Sequence, residues 1–240
     1  MIKHILFLIL LLVVVDACRQ QESKEAESFK FQAEPDSIIS KQQHGYIYIT
    51  RDTSAEMFDR LASDIEVEGD EMNIYRQFAS DIKKKSGQSV VVKTLGDLPR
   101  KWNSVYLVND SYYVYSPSDW MSNSGYYVSD SVIFITKSDP DDLYVILDHK
   151  KLDEVDEFQF VNYAGEKHSV QIKLVDPEYG IYIWTFMKNG DLTRYLMQDS
   201  RLVKRLPMIV ADCGEEKCVL EFEFDKPDFE KIEAKSKLGE

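Results

Sequence analysis

Hydrophobic and polar positions change texture three times along this chain. An unbroken apolar run from Ile5 to Val15 gives way to a polar stretch reaching Gln43. Helical spacing follows. Thr53-Ser54-Ala55-Glu56 has the form of a capping box, with Phe58, Leu61 and Ile65 at intervals of three and four. A second stripe, Met72, Tyr75, Phe78, Ala79 and Ile82, starts near Asp70 and stops at Gly87. Two helices within residues 53–86 are predicted, each turning its stripe to a core.

Beyond Gly87 the period shortens to two. Segments rich in Val, Ile, Tyr and Phe recur between residues 89 and 224, twelve in all, from "SVVVKT" to "VLEFEF". Links such as Asn109-Asp110, Ser129-Asp130 and Asn189-Gly190-Asp191 favour hairpins, which make neighbouring strands antiparallel. Val170, Ile172 and Leu174 alternate with polar residues, as do Leu220, Phe222 and Phe224, so these strands have one dry face. "IYIWTFMK" is apolar on both faces and reads as a strand covered on both sides. A long meander must hide its edges. The expected fold is mostly β (α+β): an antiparallel meander forming a curved sheet or lipocalin-like barrel, with two N-terminal helices packed beside it.

The apolar start has a separate explanation. Its 11 residues would make a helix about 16 Å long, too short for a hydrocarbon core that needs roughly 20 residues. With Lys3 before it and a small residue after it, the run has the parts of a secretory signal peptide over residues 1–17. Val15-Asp16-Ala17-Cys18 resembles the lipobox of bacterial lipoproteins. That resemblance implies that Cys18 becomes the lipidated N-terminus and anchors the protein to a membrane. In that family an aspartate after the cysteine retains the protein at the inner membrane. Arg19 stands there instead, which implies outer-membrane placement, facing the periplasm or the cell surface. Residues 18–43 are rich in Gln, Glu, Ser and Lys and read as a flexible tether. Residues 44–240 then form a single β-rich domain.

Composition narrows the partners. Apolar residues make up 44% of the chain and aromatics 12%, which fits a globular body. A net charge of −13 repels phosphate backbones, and "KKK" at Lys83 to Lys85 is too small a patch to reverse that, so no nucleic-acid partner is expected. With Cys18 committed to lipid, Cys213 and Cys218 remain as a pair around a short polar loop. A disulfide clamping a hairpin between "PMIVAD" and "VLEFEF" is expected, free thiols being the alternative.

Catalytic patterns are missing. The chain has no G-x-S-x-G, no H-E-x-x-H and no phosphate-cradling glycine loop. His44, His149 and His168 stand at no metal-ligand spacing and read as solvated surface residues. No metal and no cofactor are expected. The most distinctive stretch is "SYYVYSPSDWMSNSGYYVS", Ser111 to Ser129. Tyr113, Tyr115, Asp119, Trp120 and Tyr126 are the candidate binding residues, because rings offer broad apolar contact and polar neighbours orient a ligand. The competing reading is that alternate aromatics simply fill a core. "YYVYSPSDW" within a β meander, behind a lipoprotein signal, also resembles uncharacterised envelope lipoproteins of the Bacteroidota, which implies an address and no mechanism. The expected function is non-catalytic binding of a small ligand, glycan or envelope protein partner. A carboxylate-based hydrolase acting on glycan or peptide and a structural subunit of an outer-membrane assembly are the alternatives.

Overall fold

The computed structural model describes residues 31–42, 44–62, 77, 80–82, 84–85, 87, 95–118, 125–129, 131–135, 143–162, 164–188, 190–214 and 218–237. In chain order its elements are β1 (Ser37–Gln42), β2 (Gly45–Thr50), α1 (Glu56–Ala62), β3 (Lys101–Ser104), β4 (Tyr106–Val108), β5 (Ser111–Ser116), β6 (Gly125–Val128), β7 (Val132–Ile135), β8 (Leu143–Leu152), β9 (Val155–Asn162), β10 (Lys167–Asp176), β11 (Ile181–Lys188), β12 (Asp191–Asp199), a 3-10 turn (Ser200–Arg205), β13 (Met208–Asp212) and α2 (Phe229–Ser236).

Eight strands close into a barrel in the order β10-β11-β12-β3-β6-β7-β8-β9. From β6 to β12 each strand pairs antiparallel with the next, and β3 closes the ring between β12 and β6. This is the lipocalin-like alternative, and closure removes the sheet edges. The other five strands form a second sheet, β1-β2-β13-β5-β4, in which β13 runs parallel to β5. The meander is therefore confined to the barrel. The chain leaves for the second sheet at β4 and β5 and returns there at β13, and such a re-entry is free to set a parallel pair.

Two cores result, and strand alternation explains both. Inside the barrel lie Trp102, Val128, Ile133, Ile146, Phe158, Phe160, Val170, Ile172, Trp184 and Met197. Between the barrel wall and the second sheet lie Phe58 and Leu61 of α1, Tyr48, Val114, Met208 and Val210 of the sheet, and Ile181, Ile183 and Leu196 of the barrel. β11 serves both cores, Trp184 inward and Ile181 and Ile183 outward, so its two apolar faces are each covered as expected. β3 gives no apolar signal because its outward residues are polar. Lys101 Nζ and Asn103 Nδ2 donate to the Arg60 and Leu61 carbonyls at 3.3 and 3.1 Å, satisfying the end of α1, while Trp102 points inward.

Two expectations are corrected. First, the tether was placed through residue 43, yet Ser37–Gln42 is a strand paired with β2. Before it, Phe31 packs edge-on against Tyr46 and Tyr48 at 5.1 Å, and the Gln32 backbone N–H donates to the buried Asp212 at 3.1 Å. Second, "VLEFEF" is not a strand. Leu220, Phe222 and Phe224 pack as an extended strap over the outer face of the second sheet, so their alternation marks a covering segment. The Cys213–Cys218 disulfide forms, with Cα atoms 5.7 Å apart, but it ties this strap to the end of β13 instead of clamping a hairpin. A Cβ on Gly45 would collide there with the Asp212 carbonyl oxygen and come within 2.9 Å of Leu220 Cδ1, so only glycine fits beneath the clasp. Of the two predicted helices, Glu56–Ala62 of the first is described, and the rest of it and most of the second lie outside the described residues. The signal peptide and Cys18 lie outside them as well.

The Asn109-Asp110 link behaves as expected. Asn109 and Asp110 sit at φ of 50° and 60° between paired Val108 and Ser111, the positive values a two-residue type I′ turn requires.

Candidate functional site

The two ends of the barrel are built from different chemistry. At one end β8 turns into β9 and β10 into β11, and the segment carrying Leu95 and Leu98 enters β3. At the other, β9 turns into β10 and β11 into β12, and the chain enters β6.

The first end is closed. His149 and Phe158 are cross-strand partners on the inner face, and their rings stack at 4.3 Å with a 12° interplanar angle. His149 Nε2 lies 2.7 Å from Asp156 Oδ1, and these side chains are only 9% and 11% exposed. Tyr182 packs edge-on against Trp102 at 4.7 Å, and burial, with Asp199 next, pushes its phenol above the usual range. Asp199 also accepts from the Arg201 backbone N–H at 3.0 Å and pairs with the Arg201 guanidinium at 2.7 Å. His149, Asp156 and Asp199 each have a partner here, whereas Trp102 Nε1 is buried without one in the packed interior.

Among the described residues the second end is less filled, and β3 pairs with β12 only over Met197–Asp199. Strand tilt carries one inward row from Asp156 at the closed end through Ile172 and Trp184 to Tyr195, which is 42% exposed. A chain of ring contacts runs from the packed interior to solvent: Tyr126 to Trp184 at 5.5 Å, Trp184 to Phe186 at 5.8 Å and Phe186 to the exposed Tyr195 at 5.8 Å. A second inward row places Phe160, His168 and Lys188 side by side. Tyr144 packs on Phe160 at 4.9 Å and faces His168 at 6.0 Å.

Two buried polar atoms here have no hydrogen-bond partner, His168 Nε2 and Trp184 Nε1. His168 has a side chain only 3% exposed, and its Nε2 is 3.6 Å from Glu166 Oε2. Burial, aided by Lys188 and opposed by Glu166, holds the His168 pKa below its ordinary value, so the ring is uncharged at neutral pH. Glu166 Oε2 in turn accepts from Asn162 Nδ2 at 3.0 Å and lies 3.9 Å from Lys188 Nζ. A carboxylate, an ammonium, an amide and an imidazole thus edge an aromatic floor.

The sequence-nominated residues are split by the fold. Tyr126 stands at the open barrel end. Tyr113 and Tyr115 lie on the outer face of the second sheet under the strap, where Tyr115 packs against Phe224 at 5.1 Å and is part of a core. Asp119 and Trp120 lie outside the described residues. His149 and His168, read as solvated, are both buried, because each takes an inward position on a barrel strand. Phe186, His168 and Tyr195 were not nominated. "IYIWTFMK" carries Tyr182, Trp184 and Phe186 on one face, but only the pairing of β10 and β12 on either side of β11 sets His168 and Tyr195 beside that face. Among the described residues no group of three or more His, Cys, Asp or Glu side chains is placed to hold a metal ion.

No family model, no curated protein and no solved structure matches the chain.

Proposed function

We propose that this chain is a lipid-anchored envelope protein that binds a small ring-bearing ligand, without catalysis, at the open end of its barrel. One observation carries the reading: an exposed aromatic edge, Tyr195 beside Phe186, adjoins a polar rim in which the buried His168 Nε2 has unused hydrogen-bonding capacity. Buried polar groups ordinarily find partners, and an unmet one beside an opening is a place for a ligand. The barrel interior itself is not the proposed site. Trp102, Trp184, Phe158, Ile146 and Met197 are fully buried with no water-sized space beside them, as expected where eight strands leave an interior just wide enough for side chains.

Anchoring through Cys18 is supported by the lipobox-like Val15-Asp16-Ala17-Cys18 and by a signal-like apolar run too short to span a bilayer. Outer-membrane placement belongs to the same proposal. Native mass spectrometry of the protein purified from membranes tests the binding reading. A few hundred daltons of extra mass that Tyr195→Ala loses supports it; mass retained equally by that variant contradicts it. Labelling with palmitate in the producing bacterium tests the anchor, with the label expected on the wild type and lost in Cys18→Ser.

A further inference from the structure

Resting on the reading above, we infer that the ligand is a neutral saccharide, one ring of which stacks on the aromatic edge of Tyr195 and Phe186 while its hydroxyls meet Asn162, Glu166, His168 and Lys188.

Shape comes first. Phe186 packs on the fully buried Trp184, and with Tyr195, 42% exposed, it carries an aromatic surface out to solvent. Such a surface takes flat apolar faces, either an aromatic ring or the C–H face of a sugar, and gives a flexible acyl chain nothing to enter, because the interior beyond it is packed.

Charge separates the remaining classes. Glu166 and Lys188 lie 3.9 Å apart and cancel, and His168, held uncharged by burial, adds nothing. An anion would face Glu166 and a cation Lys188, so neither finds an unopposed counter-charge. A neutral ligand leaves that pair intact.

Hydrogen bonding then separates a sugar from a plain aromatic ring. The rim offers Lys188 as a pure donor, the Glu166 carboxylate as a pure acceptor, and the Asn162 amide and the His168 imidazole with both capacities. His168 Nε2 is buried without a hydrogen bond, and Glu166 Oε2, 3.6 Å away, places it at this rim. Vicinal hydroxyls donate and accept at once, so they meet a mixed set of this kind. An unsubstituted aromatic ring would cover the rim and leave Nε2 unmet.

The test is isothermal titration of the purified full-length protein with four probes: cellohexaose and N-acetylchitotriose as neutral saccharides, oligogalacturonate as an acidic one, and 2-naphthol as an apolar ring. At least one neutral saccharide is expected to bind at least about tenfold more tightly than oligogalacturonate. Tyr195→Ala should weaken that binding roughly tenfold by removing a stacking face. His168→Ala should weaken it too, and because Tyr195 is exposed, the first variant remains informative if the second fails to fold. Oligogalacturonate binding as tightly as the neutral probes would overturn the inference. Binding of 2-naphthol alone, with loss in Tyr195→Ala, would overturn the saccharide assignment and leave the open end as a binding site. Saccharide binding indifferent to both variants, or no binding of any probe, would overturn both readings.

Discussion

Each barrel end carries one inward-facing histidine, and the two are treated in opposite ways. His149 stacks on Phe158 and bonds Asp156 at 2.7 Å behind a filled interior. His168 is as deeply buried but has no hydrogen bond at Nε2, and through Phe160 it stands beside Phe186 and the exposed Tyr195. Residue type and burial are thus the same at both ends, and the difference lies in whether the fold supplies the partner. A satisfied polar group at a sealed end contributes to stability. An unsatisfied one at an open end costs stability and is retained for what it can bind.

Four predictions sharpen or break this contrast, and the largest concerns the filled interior. Phe158→Ala removes a fully buried ring and the surface on which His149 stacks, and should cost about 3–5 kcal/mol in urea unfolding. A loss below 1 kcal/mol, on the order of an Ile→Val trim, would mean that this end is loosely packed. Asp156→Ala strands the His149 ring without its acceptor and should cost about 1–3 kcal/mol.

The third prediction is a pH dependence with a definite sign. His168 has a folded-state pKa below its ordinary value of 6.5, so below that pH the unfolded chain binds the proton more readily than the folded one. Stability from this group is fully present above the ordinary value and is lost as pH falls towards the folded pKa. His168→Gln should therefore flatten the acid limb of the stability profile, and a profile unchanged by the substitution would show that His168 is not desolvated. Smallest is Tyr195→Ala, which removes an exposed ring and should shift stability by no more than about 0.5 kcal/mol while weakening ligand binding roughly tenfold.

How far this could be seen beforehand depends on which interactions each element uses. Barrel strands such as "SVQIKLV" carry their own alternation, and Asn109-Asp110 carries its own turn, so local chemistry announced them. β3 did not, because Lys101 and Asn103 are buried to satisfy carbonyls of a helix some 41 and 42 residues earlier, a need invisible at short range. The strap 218–224 has strand-like alternation for a different reason: Leu220, Phe222 and Phe224 face one apolar sheet surface without pairing to it. The candidate site was legible only at Tyr126. "SYYVYSPSDW" is conspicuous because its aromatics crowd one stretch of chain, yet the fold spends Tyr113 and Tyr115 on a core. The opening is instead assembled from β6, β8, β9, β10, β11 and β12, each giving one or two residues, and no window of sequence contains such a set.

The most direct test of the central claim follows both ends at once. In a ¹H–¹³C spectrum of the imidazole groups, with His149 and His168 assigned from their glutamine variants, N-acetylchitotriose would be titrated into the full-length protein. The account predicts that the His168 signals move and saturate while those of His149 stay in place. Movement of His149 with His168 unperturbed would contradict it.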